Sequence, residues 1–205
     1  MTTVPDFDRM YASDPDPWQV ATSWYERRKI DIALACLRRP RYRFAWDAAC
    51  GTGDLAARLA DRCDAVLASD ASAQACALTA ARCAQVPQVR VEQSALPALP
   101  AGLQAGPRVG PGPDLVVLSE FLYYLDDEAR ARTAARVADV AAPEADLLAV
   151  HWTPQPEDAH LSGVRAHREL DDTLRAGGWG RLVSHQDTEF VLTLWSRDLP
   201  TQIGR

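Results

Sequence analysis

A doubly wound α/β sheet is the fold class this sequence predicts, on three observations. Phe44, Ala45, Trp46 and Asp47 form a short apolar strand that runs through a glycine turn, Gly51 to Gly53, into a helical stretch. Strand-like apolar runs then alternate with helical stretches to residue 175, which calls for a parallel sheet with helices on both faces. Two closing strands follow with a turn too short for a crossover, so that pair is antiparallel.

The elements follow in order. The opening is aromatic and punctuated: Phe7, Tyr11, Asp14-Pro15-Asp16-Pro17-Trp18, then Trp24 and Tyr25. Over 20–37, Ile30, Ala33, Leu34 and Leu37 share one helical face, and Pro40 ends the helix. The spacing predicts a strand over 43–47 and a helix over 54–62 with Leu55, Leu59 and Arg58 at its core edge. A strand over 66–70 precedes a helix that Ser72 caps and that runs to residue 84. A strand covers 89–92, and the Pro-, Gly- and Ala-rich 96–113 reads as a surface loop. Next come a strand over 114–120, a helix over 128–141, a strand over 146–152 and a polar loop over 153–163. The helix over 164–175 stops at Gly177 and Gly178, and strands over 181–185 and 188–195 close the chain. The length fits one domain, 1–205, with a helical lid segment over 1–38 and a flexible tail over 196–205.

Composition narrows the function. A net charge of −6 argues against a dedicated nucleic-acid surface, which needs clustered cations. Arg38, Arg39, Arg41 and Arg43 form a local basic cluster that reads as a solvated helix end. No signal peptide and no membrane-length apolar stretch is visible. Cys36, Cys50, Cys63, Cys76 and Cys83 are odd in number and hold no C-x-x-C pair, which points to reduced thiols and a cytoplasmic setting. Cys76 and Cys83, two turns apart on a helix, are expected to face the core. No His, Asp and Cys grouping has metal-ligand spacing. Oligomeric state is not readable.

Asp47 and Asp70 each end a strand beside the glycine turn. Gly51, Gly53 and Ala56 satisfy G-x-G-x-x-G/A, so a dinucleotide remains an alternative, with an NAD-dependent oxidoreductase as its function. Asp47 opposes that reading, because it sets a negative charge beside the pyrophosphate. S-adenosylmethionine carries an ammonium and a sulfonium instead. Asp47 would attract the ammonium, turn N–H groups would serve the carboxylate, and Asp70 would accept from the ribose hydroxyls.

With these residues in hand, the chain resembles the class I S-adenosylmethionine-dependent methyltransferases. Within them it is similar to the nodulation-protein-S (NodS) N-methyltransferases. Tyr11 with Asp14-Pro15-Asp16-Pro17-Trp18 carries the closer resemblance, as do Ser23-Trp24-Tyr25-Glu26-Arg27-Arg28-Lys29, Leu118-Ser119-Glu120 with Tyr123-Tyr124-Leu125, and His151-Trp152. The resemblance implies a Rossmann-like seven-stranded sheet of order 3-2-1-4-5-7-6 with strand seven antiparallel. It implies an N-terminal helix over the cofactor and methylation of an amine on a sugar. The family turn usually has glycine where this chain has Ala49, and an acid at the end of strand three where this chain has Gln93-Ser94-Ala95.

The cofactor set expected on this basis is Ala49, Cys50, Gly51 and Gly53 in the turn; Asp47, Asp70, Ala71 and Ser72 at strand ends; Ser94, Ala95 and Leu96 after strand three; Ser119 and Glu120 after strand four; and Tyr11, Trp18 and Arg28 in the lid. Glu120 would bind the acceptor ammonium or take its proton; its bland alternative is an ion pair with Arg28 or another basic residue. His151 is a candidate general base by its ordinary pKa, against a structural histidine. Of Tyr123 and Tyr124, one is expected at the pocket, and Tyr124 is the catalytic candidate. His160 and His167 read as surface. The acceptor expected is a small-molecule amine, an amino sugar or natural-product intermediate. The rivals are O- or C-methylation on the same scaffold, and cofactor binding without catalysis.

Overall fold

The computed structural model describes residues 5–104 and 112–198. Its seven strands are β1 (Tyr42–Ala48), β2 (Cys63–Asp70), β3 (Val89–Gln93), β4 (Leu115–Ser119), β5 (Asp146–Trp152), β6 (Gly180–Gln186) and β7 (Phe190–Ser196). They form one sheet of order β3-β2-β1-β4-β5-β7-β6. β1 to β5 run parallel, and β7 lies antiparallel between β5 and β6, as the sequence predicts.

Successive side chains of a strand point to opposite faces, and the inner strands are apolar on both. Ala45, Leu115, Val117, Leu148 and Val150 face the layer of α2 (Trp24–Cys36) and α3 (Asp54–Leu59). Trp46, Val116, Leu118, Leu147 and Ala149 face the layer of α6 (Asp127–Val140) and α7 (Gly163–Ala176). This alternation decides which strand-end residues reach the site.

Element ends shift for local reasons. The helix expected over 20–37 starts at Trp24, because the Asp16 carboxylate accepts from the N–H groups of Val20 and Ala21 and holds the preceding residues as a turn. Ahead of that turn α1 (Phe7–Ser13) is a separate helix capped by Asp6, and it buries none of its own residues. Ser72 caps α4 (Ala73–Arg82) by accepting from Ala75 N–H. The stretch read as a loop over 96–113 contains α5 (Ala101–Gln104); residues 105–111 lie outside the described residues.

Four expectations are corrected here. Arg58 is no core-edge residue, since it pairs with Asp31 at the surface. Cys83 is buried but Cys76 is only half-buried. Of the tail expected over 196–205, Ser196 belongs to β7 and the Arg197 guanidinium stacks on Trp179; residues 199–205 lie outside the described residues. The arginines of the basic cluster are not merely solvated: Arg38 pairs with Asp146 and Asp198, and Arg41 with Asp64.

Candidate active site

The parallel strands end around a cavity of about 640 Å³, where ligands of open α/β sheets bind. α1 and α2 roof it. Its two ends differ in chemistry.

At one end sit β1, β2 and the turn between β1 and α3. Ala49, Gly51 and Gly53 all have positive φ, at 73°, 54° and 79°. A Cβ on Gly53 would come within 2.8 Å of Thr79 on α4, so that glycine lets the turn pack against a helix. Four N–H groups of the turn are spent internally. The N–H groups of Ala49 and Cys50 both donate to Ser69 O, that of Gly51 to Asp70, and that of Gly53 to Cys50 O. These four N–H groups are therefore not available to a ligand carboxylate or to a pyrophosphate.

Asp47 is the unpaired carboxylate at this end. It is 1% exposed, it lines the cavity, and neither carboxylate oxygen has a hydrogen-bond partner among the described residues. Burial, and secondarily Asp70, push its pKa up to about 7. A lone buried acid of this kind calls for a ligand cation with N–H donors. Asp70 accepts from the N–H groups of Gly51 and Ser72, which leaves each oxygen free to accept once more. Ala71, Ser94, Ala95 and Leu96 continue the wall, and the Ser94 hydroxyl donates to Ala98 O with its lone pairs left to accept. The Cys50 thiol is buried against Thr79 with its pKa raised by that burial, so it is no nucleophile.

At the other end every buried charge is already paired. Glu120 follows β4 in a left-handed conformation, φ 59°. Its Oε1 accepts from Lys29 Nζ at 2.5 Å; its Oε2 accepts from the Tyr123 hydroxyl at 2.7 Å and from Trp152 N–H at 2.8 Å. Three donors occupy a carboxylate with about four acceptor positions. Lys29 also donates to Glu26 at 2.8 Å and lies 4.9 Å from the Tyr25 ring centre. Burial acts to lower the Lys29 pKa, but Glu120 and Glu26 outweigh it and hold the ammonium charged. Tyr25, Glu26 and Lys29 were missed as site residues. Their signal lay in α2: Glu26 and Lys29 share the buried face of Ile30 and Ala33, an ion pair on an apolar stripe.

The structure brings Tyr11, Trp18, Ser119 and Tyr124 to the cavity wall, but not Arg28, Ser72, Gly53 or His151. Arg28 turns away, one position off the buried face of α2, and pairs with Asp187 at 2.7 Å; Lys29 is the partner of Glu120 instead. Ser72 is taken by Asp8, to which its hydroxyl donates at 2.6 Å, so it ties α1 to α4.

His151 is no general base. Two positions beyond Ala149 on β5, it faces α7 rather than the cavity and is fully buried. Its Nε2 accepts from Leu122 N–H at 3.2 Å, so Nδ1 carries the proton toward His167 Nε2, 2.9 Å away. His167 then presents Nδ1–H to Thr193 Oγ1 at 3.1 Å. Burial drives the His151 pKa down to about 3 and that of His167 well below its usual value. The surface reading of His167 is likewise corrected. Its place beside Leu170 and Leu174 on the buried stripe of α7 was the signal.

The sequence matches the methyltransferase-domain family over residues 46–147. A candidate methyltransferase from Pseudomonas syringae is 38% identical, with 85% of this chain and 99% of that one covered, at a TM-score of 0.71. The chain is a class I S-adenosylmethionine-dependent methyltransferase. The N-methyltransferase NodS from Bradyrhizobium japonicum WM9, solved with S-adenosylhomocysteine, shares the fold at a TM-score of 0.74 and 18% identity, covering 96% of this chain and 98% of that one. A complex of DhpI with S-adenosylhomocysteine does so at 0.67 and 21%, with 92% of each chain covered. Against curated proteins the sequence has no match.

The methyltransferase's cofactor is S-adenosylmethionine, and the waiting Asp47 carboxylate fits its ammonium. Among the described residues no helix is long and apolar enough to cross a membrane, and no group of three or more His, Cys, Asp or Glu could hold a metal ion.

Proposed function

We propose that this methyltransferase N-methylates a small-molecule amine, of the amino-sugar or natural-product kind. The observation that carries the proposal is the charge of the cavity wall. Glu26, Asp47, Asp70, Glu120 and Asp158 line it, against Lys29 as the cation of the described lining; Asp54 is paired with Arg82. Asp47 and Asp70 belong to the cofactor end. The surplus at the acceptor end suits a ligand that arrives as an ammonium, and the rings of Tyr25, Phe121, Tyr124 and Trp152 suit the same ligand through their π faces. The N-methyltransferase name of NodS points the same way.

The bound cofactor supplies a methyl group on a positively charged sulfur. The chain's residues have to orient and desolvate the acceptor. Glu120 keeps one acceptor position for an acceptor N–H, and Tyr123 and Trp152 N–H hold that carboxylate at a fixed angle. The aromatic wall excludes water, which favours the neutral amine that attack requires. Such alignment is worth roughly 7–11 kcal/mol at its upper end.

The test is a panel of primary and secondary amines with matched alcohols, followed by mass spectrometry of the methylated product. Amines are expected to react and alcohols not; methylated alcohols with inert amines would overturn the proposal. Glu120→Gln should lower kcat/KM for the amine by about 10²-fold with cofactor affinity nearly unchanged, the order expected for one buried charge contact.

A further inference from the structure

Lys29 is the single lysine of a chain that carries 22 Lys and Arg residues. Every other cationic side chain is a guanidinium, and the one ammonium sits in the wall of the cavity, 4% exposed. It bridges Glu26 Oε1 and Glu120 Oε1, which approach it from α2 and from the end of β4. A guanidinium is planar and wide, whereas an ammonium is a compact point charge with three N–H donors. The space between these two carboxylates is thus a subsite for one primary ammonium, and the fold shows it filled by a residue of its own.

We infer that Lys29 is a specificity-determining residue: its ammonium fills a second cation subsite, formed by Glu26 and Glu120, and so limits the acceptor to a single ammonium. The inference rests on the amine reading above. An acceptor with one ammonium uses the remaining position on Glu120. An acceptor with two would bring its second charge against Nζ, and like charges at that range repel. Removing the lysine side chain beyond Cβ leaves two uncompensated carboxylates and a space the length of a propylammonium ion. A diamine can then bridge the site.

The experiment compares n-butylamine with 1,4-diaminobutane as acceptors for the wild type and for Lys29→Ala. The wild type should prefer the monoamine, and Lys29→Ala should shift the kcat/KM ratio toward the diamine by about tenfold or more. An unchanged ratio overturns the specificity role. Unpairing the buried Glu26 and the partly exposed Glu120 endangers folding, so a second readout uses no turnover. n-Propylammonium should raise the Tm of Lys29→Ala, or be required for its folding, whereas 1-propanol should do neither. Equal effects of the two overturn the subsite. In Lys29→Ala with Glu26→Gln, which loses one buried charge of each sign, both the diamine gain and the propylammonium effect should vanish; their persistence also overturns it. A wild type that methylates no amine defeats the acceptor reading instead, and the propylammonium measurement still decides whether the cation subsite exists.

Discussion

The two ends of the cavity treat buried charge in opposite ways. At the cofactor end Asp47 is buried with both oxygens unpartnered among the described residues, and the N–H groups of Ala49, Cys50, Gly51 and Gly53 beside it are already bonded within the fold. At the acceptor end Glu120 holds three donors and Lys29 two carboxylates. An unpaired buried charge costs stability until a ligand arrives, so Asp47 marks a place where binding energy is collected. At the acceptor end the two carboxylates share one ammonium, so the cluster holds its charge without a ligand, and its proposed part is to set which ligand fits. On the function proposed above, binding and selectivity are separated along one cavity.

The sharpest way to break this contrast is Asp47→Asn. Burial, with Asp70 nearby, pushes the Asp47 carboxyl up to about 7 in the folded chain, from an ordinary value of 3.8. The folded state therefore holds the proton more tightly than the unfolded state. Ligand-free stability from this group is greatest below pH 4 and declines as pH rises through 7, by up to about 4 kcal/mol. Asp47→Asn should remove that decline, so its stability gain in urea unfolding is large at pH 8 and absent at pH 4. His151 has the opposite sign: with its folded pKa lowered to about 3 from 6.5, its contribution is complete above 6.5 and lost as pH falls toward 3. The variant should keep this acid limb. Calorimetry with S-adenosylhomocysteine should show affinity reduced by about 10²-fold, the cost of removing one side of a buried charge contact. No stability gain at pH 8 would mean that Asp47 is not waiting for a ligand.

The α1 segment over the cavity, proposed here as a lid, gives the next largest effect. α1 buries none of its residues, yet Phe7 meets the Tyr124 ring edge-on at 5.1 Å and Asp8 anchors the helix on Ser72 and Gln74 of the α4 N-terminus. Removing residues 1–19 takes away Tyr11 and Trp18 from the roof but little of the core. Turnover should fall by about 10²-fold while Tm moves only a few degrees. Full activity of the shortened chain would show that the roof excludes no water that matters. The same truncation separates the ends: cofactor affinity should weaken through Tyr11, whereas the Lys29 cluster on α2 and β4 stays intact.

The cofactor end was legible in the sequence because its signals are local. A strand, an acid, a glycine turn and a second acid sit within 27 residues, Phe44 to Asp70, and backbone geometry alone brings them together. Sheet order and the antiparallel last strand came through the family resemblance and the short final turn. The acceptor end depends on tertiary contacts, and there the readings slipped. Glu120 was expected either at the chemistry or in an ion pair with Arg28 or another basic residue; its partner is Lys29, one residue from Arg28 and a step of about 100° around the helix. His151 was open between a general base, because its pKa in water is near neutrality, and a structural histidine; strand parity aims it at α7, where His167 and Leu122 N–H claim both ring nitrogens. The two histidine readings share one cause: a polar residue on a buried face was assigned to solvent or to chemistry before its packing partner was known.

The smallest expected effect tests whether the turn's geometry is shared between stability and binding. Ala49 holds φ at 73°, where a Cβ crowds the following carbonyl, at roughly 1–2 kcal/mol. Ala49→Gly should relieve that strain. The unfolded chain gains freedom from the same change, so the net gain is about 0.5–1 kcal/mol, read as a Tm rise of a few degrees. Glu120 holds a comparable φ of 59°, but glycine there would discard the bonds to Lys29, Tyr123 and Trp152 N–H, so its strain is retained for those contacts. Ala49 makes no such side-chain bond. Ala49→Gly should therefore stabilise the protein with S-adenosylhomocysteine affinity unchanged. A loss of affinity would show that the methyl of Ala49, which lines the cavity, is itself a ligand contact, and that strain at the cofactor end serves binding just as strain at Glu120 serves the acceptor.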